Sequence, residues 1–302
     1  MAGVRLLGPA EVRDLAELLG IQPTKKLGQN FVIDANTVRR IVRIAGVSAG
    51  MTAVEIGPGL GSLTLGLLET GASVVAVEID ARLAGQLQHT VDAAMGADPS
   101  SAPLAATGGE AAPSAGSPQL TVVTADSMTV TTLDPEPSVL VANLPYNVSV
   151  PVLLHFLEHF PSLRSGLVMV QAEVGQRLAA SPGSKIYGSP SAKAAWYGDF
   201  RLAGSVSRQV FWPVPNVDSI LVAFERHKQP GTEAERVATF ALIDAAFQQR
   251  RKMLRQALAV ALGDAGQASA VLETAGIAPT LRGEQLTVLD FLQVARSAAR
   301  SA

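Results

Sequence analysis

The sequence predicts an α/β protein, a mostly parallel, doubly wound sheet followed by a small all-helical domain. Three observations predict it. Strand-like and helix-like patterns alternate through the first two thirds of the chain, helical spacing alone runs on from about Thr232, and a glycine cluster stands between an early strand and the helix after it.

The elements follow in order. The start, MAGVRLLGPAEVRDLAELLG, meets charge within a few residues and lacks a signal-peptide core. MTAVEIG and ASVVAVEID are rich in Val and Ile and end at glycine or an acid, as strands do. GSLTLGLLETG between them has helical apolar spacing and a terminal glycine. QLTVVTAD, PSVLVAN and SGLVMVQ continue the strand series, with a helix at VPVLLHFLEHF, and VDSILVAFER is a later strand. The Ala/Pro/Gly/Ser-rich stretch 93–119 cannot bury a core and reads as a mobile insertion. From Thr232, EAERVATFALIDAAF, RRKMLRQALAVAL, QASAVLETAG and TVLDFLQVARSAAR are helical in spacing. The expected division is therefore 1–229 and 230–302.

Composition narrows the chemistry. Hydrophobic residues make up 48% and charged residues 17% of the 302, a globular balance. No apolar run reaches the length of a membrane span, so no membrane partner is expected. The absence of cysteine excludes disulfides, thiolate metal sites and cysteine nucleophiles, and fits a cytoplasmic protein. His155 and His159 sit four apart, but outside an H-E-x-x-H motif they read as helix-surface residues, and no metal is expected. The net charge of −2 hides a split: residues 1–200 carry 12 Lys and Arg against 17 Asp and Glu, whereas 201–302 carry 12 against 9. The second part holds Arg250, Arg251, Lys252 and Arg255, at spacings compatible with a phosphate-contacting helix face or with a merely solvated one. Lys25, Lys26, Arg39, Arg40 and Arg43 would extend a basic track.

VEIGPGLGSLT places Gly57, Gly59 and Gly61 directly after a strand, where the backbone bends tightly and a ligand approaches closely. The dinucleotide fingerprint G-x-G-x-x-G requires glycine at position 62, and Ser62 stands there, so the loop is a poor pyrophosphate cradle. Glu78 closes the next strand and can accept both hydroxyls of a ribose, while Asp126 after the following strand can meet an adenine amino group. A nucleoside without a diphosphate fits, with S-adenosylmethionine the obvious candidate. Each feature alone also reads as a turn or a strand end. At VANLPYNVSV a buried strand breaks off into Asn143-Leu144-Pro145-Tyr146, either a turn or the lip of an active site.

KKLGQNFVID, VEIGPGLGSLT, VVAVEID, ADSM, NLPYNVS and FWPVPNVDS together resemble the ribosomal RNA adenine N6-dimethyltransferases, from about Thr24 to the C-terminus. AFQQRRKMLRQAL and AGIAPTLRGEQLTVLDFLQVA resemble the tail of the bacterial members that dimethylate two adjacent adenines near the 3′ end of 16S RNA. The chain departs from that pattern at the long insertion and at YGSPSAKAAWYGDF. The resemblance implies a Rossmann-like class I methyltransferase domain, S-adenosylmethionine as cofactor, and 16S rRNA of the small ribosomal subunit or its precursor as partner; a monomer is expected. It implies that Asn30, Val32, Gly57, Glu78, Asp126 and Asn143 line the cofactor site. It further implies that Asn143 Oδ1 and the Leu144 carbonyl accept the two N–H groups of the target amine, that Pro145 stiffens that presentation, and that Tyr146 and Phe211 stack on the extruded base. For either aromatic taken alone, core packing is the better reading. A non-catalytic assembly factor and a small-molecule or DNA amine methyltransferase are the alternatives; the tail disfavours the last.

Overall fold

The computed structural model describes residues 4–21, 30–96 and 119–301. Its main sheet is built from β2 (Thr52–Ile56), β3 (Ser73–Glu78), β4 (Leu120–Thr124), β5 (Val139–Asn143), β6 (Ser165–Gln171), β7 (Gly198–Val206) and β9 (Ser219–Arg226), in the order β4-β3-β2-β5-β6-β9-β7. Neighbours from β4 to β6 are parallel. The central strands are buried on both faces, which is why their sequences are continuous Val/Leu/Ile/Ala runs rather than alternating ones. Chain order runs outward in one direction through β3 and β4, and in the other through β5 and β6. The β2/β5 junction is therefore the topological switch point, where ligands of open α/β sheets sit.

Helices α1 (Pro9–Leu18), α2 (Ala35–Ala45), α3 (Ser62–Glu69), α4 (Ala81–Met95) and α5 (Ser149–His159) accompany these strands. Val38, Ile41 and Val42 of α2 lie in one apolar core with Leu63, Leu65 and Leu67 of α3. Contact between α2 and α3 is so close that a Cβ at Gly66 would stand 2.3 Å from Val38. A second, two-stranded sheet joins β1 (Phe31–Val32) to β8 (Phe211–Trp212), pairing Phe31 with Trp212 and Val32 with Phe211.

By contacts the chain divides into two units, 1–172 with 202–223, and 173–201 with 224–302. A single cut after residue 229 is therefore not the observed division. The reason is local: α7 (Ser189–Ala194) packs on α8 (Glu233–Gln248), Lys193 pairs with Asp244 at 2.7 Å, and the Tyr187 hydroxyl donates to the Leu286 carbonyl at 2.9 Å. The second unit continues through α9 (Leu254–Ala257), α10 (Ala259–Leu262), α11 (Ala265–Thr274) and α12 (Val288–Ser301). The insertion also begins later than its composition suggests. Ala93 to Met95 complete α4, which Gly96 closes at φ +73°, and 97–118 lie outside the described residues.

Candidate active site

The carboxyl ends of β2, β3, β4 and β5 surround a cavity of about 330 Å³ in the first unit. Its floor is the β2–α3 connection. Gly57, Gly59 and Gly61 all hold positive φ, and a Cβ on Gly59 would stand 2.8 Å from the Phe31 ring. That close approach lets β1 lie over the loop, with Asn30, Phe31 and Val32 in the cavity wall.

Glu78 ends β3 and is 6% exposed. Its Oε2 accepts from the Gly59 N–H at 3.2 Å and its Oε1 from the Asp80 N–H at 3.0 Å. Burial pushes its carboxyl up, and the backbone donors of Asp80, Gly59 and Ile79 partly offset this. Each carboxylate oxygen keeps a second lone pair for a hydroxyl donor. Asp126 lines the cavity from the β4 end and caps a short 3₁₀ turn, its Oδ1 accepting from the Met128 N–H at 2.9 Å. Ile79, 64% exposed, and Met128, 41% exposed, also line the cavity and offer apolar surface to a flat ring.

Sequence reasoning passed over Glu55, although it stands in the same VEIG motif. It is 1% exposed, lines the cavity, and accepts from the Thr64 hydroxyl at 2.6 Å. Burial pushes its carboxyl up to about 8, against the pull of the Thr64 hydrogen bond and with the help of nearby Glu78. An acid within an otherwise apolar buried strand was the available signal. Among the described residues, the ionisable groups lining the cavity are Glu55, Glu78, Asp80 and Asp126, all acidic. Asp80 is neutralised by Arg82, whose Nη2 stands 2.7 Å from it.

Asn143 is the last residue of β5. Its Nδ2 donates to the Asn30 carbonyl at 2.9 Å, which leaves Oδ1 as the acceptor on the other side of the amide. The Leu144 N–H donates to the Met169 carbonyl at 3.1 Å, fixing the next peptide, and no hydrogen bond reaches the Leu144 carbonyl among the described residues. Pro145 lines the cavity, whereas Leu144 is buried and Tyr146 stands outside the lining. The Tyr146 hydroxyl is 2.8 Å from Ser219 Oγ, which pins its half-buried ring.

Two expectations are corrected. Phe211 is 1% exposed, paired with Val32 in β8, and is absent from the cavity lining; its ring offers no open face in this conformation, because the β1–β8 pairing folds it into the core. Arg250 is not free for phosphate: Nε pairs with Glu284 at 2.8 Å and Nη2 donates to the Lys185 carbonyl at 2.6 Å. Nor does the basic cluster share a helix, since 250–253 form the turn between α8 and α9. Arg251, Lys252 and Arg255 remain exposed, and Arg282 is exposed in the loop whose Pro279 and Leu281 carbonyls accept from Arg255 and Leu254. In the first unit Arg39 pairs with Glu69 at 2.8 Å, Arg40 donates to the Ser205 carbonyl, and Arg43 is exposed; Lys25 and Lys26 lie outside the described residues. His155 donates to or accepts at the Val130 carbonyl and stacks near His159, and no group of three or more potential metal ligands occurs among the described residues. No helix among them is long and apolar enough to cross a membrane.

Ribosomal RNA small subunit methyltransferase A of Leifsonia xyli subsp. xyli is 66% identical over 296 residues, spanning 98% of this chain and 99% of that protein. The protein of the same name from Thermobifida fusca is 57% identical, spanning 97% of this chain and 96% of that one. The crystal structure of a dimethyladenosine transferase from Plasmodium falciparum shares the fold, with a TM-score of 0.67 at 21% identity over 87% of this chain and 95% of that one. The sequence profile of the family described as ribosomal RNA adenine dimethylase matches residues 21–300, and the chain belongs to that family.

Proposed function

We propose that this protein transfers methyl groups from S-adenosylmethionine to the N6 atoms of two adjacent adenosines in a hairpin near the 3′ end of 16S rRNA, within the small ribosomal subunit or its precursor. The observation that carries the reading is the orientation of Asn143. With Nδ2 held by the Asn30 carbonyl, Oδ1 is the group left to meet an exocyclic amine, at the mouth of a cavity lined by acids.

The cavity suits the cofactor on three counts. Glu78 retains acceptor capacity on both oxygens for a ribose. Ile79 and Met128 supply apolar surface for an adenine ring, with Asp126 at its edge. Acidic lining suits a ligand that carries positive charge. When bound, the cofactor supplies an electrophilic methyl group on a sulfonium.

An adenine amine is a weak nucleophile because its lone pair is delocalised into the ring, so the protein's task is to orient it. Asn143 Oδ1 and the Leu144 carbonyl accept its two N–H groups and favour a more tetrahedral nitrogen. Pro145 has a fixed φ and no N–H, which holds that pair of acceptors in place. Tyr146, pinned through Ser219, borders the position that the extruded base would take. Arg251, Lys252 and Arg255 supply phosphate contacts independent of base sequence.

The test is incubation of unmethylated small-subunit particles with protein and isotopically labelled cofactor, followed by mapping of N6-methyladenines. Two adjacent dimethyladenosines near the 3′ end are expected. Label in other RNA, or none, would overturn the substrate assignment.

A further inference from the structure

The connection from β4 to β5 carries Asp126, Ser127 and Met128 into the cavity wall, so its placement sets the shape of that wall. Its own bonds are local. Asp126 Oδ1 accepts from the Met128 N–H at 2.9 Å, and the Asp126 carbonyl accepts from the Thr129 N–H at 2.9 Å and the Thr129 hydroxyl at 2.8 Å. These close a single 3₁₀ turn, Ser127–Thr129, whose hydrogen-bond geometry is poorer than that of an α-helix. Among the described residues, one hydrogen bond reaches 126–137 from another element: His155 Nε2, on α5, stands 2.8 Å from the Val130 carbonyl.

His155 and His159 have no part in the chemistry set out above, yet their geometry is specific. A carbonyl only accepts, so His155 Nε2 carries the hydrogen and donates. His159 takes the opposite tautomer, its Nδ1 donating to the His155 carbonyl at 3.0 Å. The His159 ring centroid lies 4.2 Å from that of His155, and Phe156 meets the His155 ring in a T-shaped contact at 5.9 Å. Two rings thus fix the direction in which His155 points. The helix that carries it belongs to the wall as well, since Val152, one turn before His155, lines the same cavity. An apolar side chain at 155 would keep the contact with Phe156 but leave the carbonyl of Val130, a residue 7% exposed, without its donor.

We propose that His155 is a positioning residue for recognition of the cofactor's adenine. Through the Val130 carbonyl it holds the Asp126 turn where Asp126 Oδ2, which accepts no hydrogen bond among the described residues, meets the amino group of the ring. This deepens the cofactor reading above and rests on it.

The experiment is calorimetric titration of two analogues into the parent, His155→Leu and His155→Gln. The analogues are S-adenosylhomocysteine and S-inosylhomocysteine, which has a carbonyl in place of the adenine amino group. The parent should prefer the first. His155→Leu should cut that preference by about three- to tenfold, equivalent to one ordinary hydrogen bond, by weakening the adenine analogue and leaving the other unchanged. His155→Gln, whose Nε2 is an N–H donor at similar reach, should restore it. A merely structural role would weaken both analogues together. Should the leucine variant not fold, His155→Asn, too short to reach the carbonyl, takes its place. An unchanged preference, equal losses for both analogues, or a glutamine variant no better than leucine would each overturn the assignment. A parent without the preference would remove Asp126 from the ring edge and this assignment with it. A parent that binds neither analogue would overturn the cofactor reading itself.

Discussion

Replacing Asn143 separates the amide's contribution to folding from its contribution to chemistry. Among the described residues its side chain makes one hydrogen bond, Nδ2 to the Asn30 carbonyl at 2.9 Å, at a half-buried position. Losing that bond in Asn143→Ala costs about 1 kcal/mol of stability. For a chain of this size that lowers Tm by roughly 2–4 °C. Losing a positioned acceptor for the amine should slow methyl transfer by about 10²-fold, equivalent to roughly 2.7 kcal/mol of activation free energy. Asn143→Asp gives up the same donor to Asn30 but keeps an acceptor toward the amine, so its rate should fall between alanine and parent. Single-turnover transfer onto small-subunit particles, read beside thermal melts, measures both effects. An alanine variant at the parent rate, or an aspartate variant slower than alanine, would refute the orienting role.

Glu78→Ala should weaken cofactor binding by about 2–4 kcal/mol, the loss of two hydrogen bonds to a charged acceptor, with calorimetric titration as the check. Glu55 gives a pH signature: the folded chain keeps its proton to about pH 8, whereas the unfolded carboxyl releases it near 4.5, so the folded state binds more protons between those values and stability falls as pH rises through them. Glu55→Gln removes that slope, and urea melts from pH 5 to 8.5 should show the variant gaining on the parent by a few kcal/mol, roughly; parallel curves would place the titration elsewhere. Changing Arg251, Lys252 and Arg255 to Ala should weaken binding to small-subunit particles and flatten its salt dependence by up to about 0.7–0.9 in log–log slope per lost phosphate contact, with cofactor affinity intact. Filter binding across a salt series decides it, and an unchanged slope would move the docking surface to other cations such as Arg43 or Arg282.

The strands, the glycine loop and the strand-end residues Glu78, Asp126 and Asn143 were legible because each obeys a local rule: apolar runs bounded by glycine or acid, and polar groups at carboxyl ends. What was not legible depends on pairing between distant segments. Arg250 looks like its neighbours in sequence, and only the approach of Glu284 and Lys185 takes up its guanidinium. Phe211 matches a family position, but pairing of β8 with β1 buries it. Residues 173–201 join the helical unit through Tyr187 and Lys193, contacts to positions 51 to 99 residues away that no composition shift marks. Strand β7 was missed because its outer positions alternate irregularly between exposed and half-buried, which dilutes the period of two.

The costs in this fold are not spread evenly. Around the β2–α3 connection stand three glycines at positive φ, a buried carboxyl that keeps its proton and, among the described residues, a helix start without a side-chain cap and a buried hydroxyl without a partner. The carboxyl and the hydroxyl would be defects in a connection whose only task was to turn the chain, because each has a cheaper replacement: alanine for Ser62, and glutamine or an apolar residue for Glu55, while Gly61 at φ +94° keeps the left-handed turn that a capping side chain would strain. Their concentration at the switch point of the sheet, in the wall of a single cavity, locates the places where local rules yield to a ligand. A molecule that meets those groups recovers what the empty connection forgoes, and by mass action its binding must stabilise the folded chain. The same reasoning separates this site from the basic turn of the helical unit. There Arg251, Lys252 and Arg255 are solvated and none is buried unpaired, so that surface holds no deficit for a partner to relieve and can act through long-range attraction alone. Cofactor recognition should accordingly depend on atomic fit and resist salt, and RNA docking should depend on charge and yield to it.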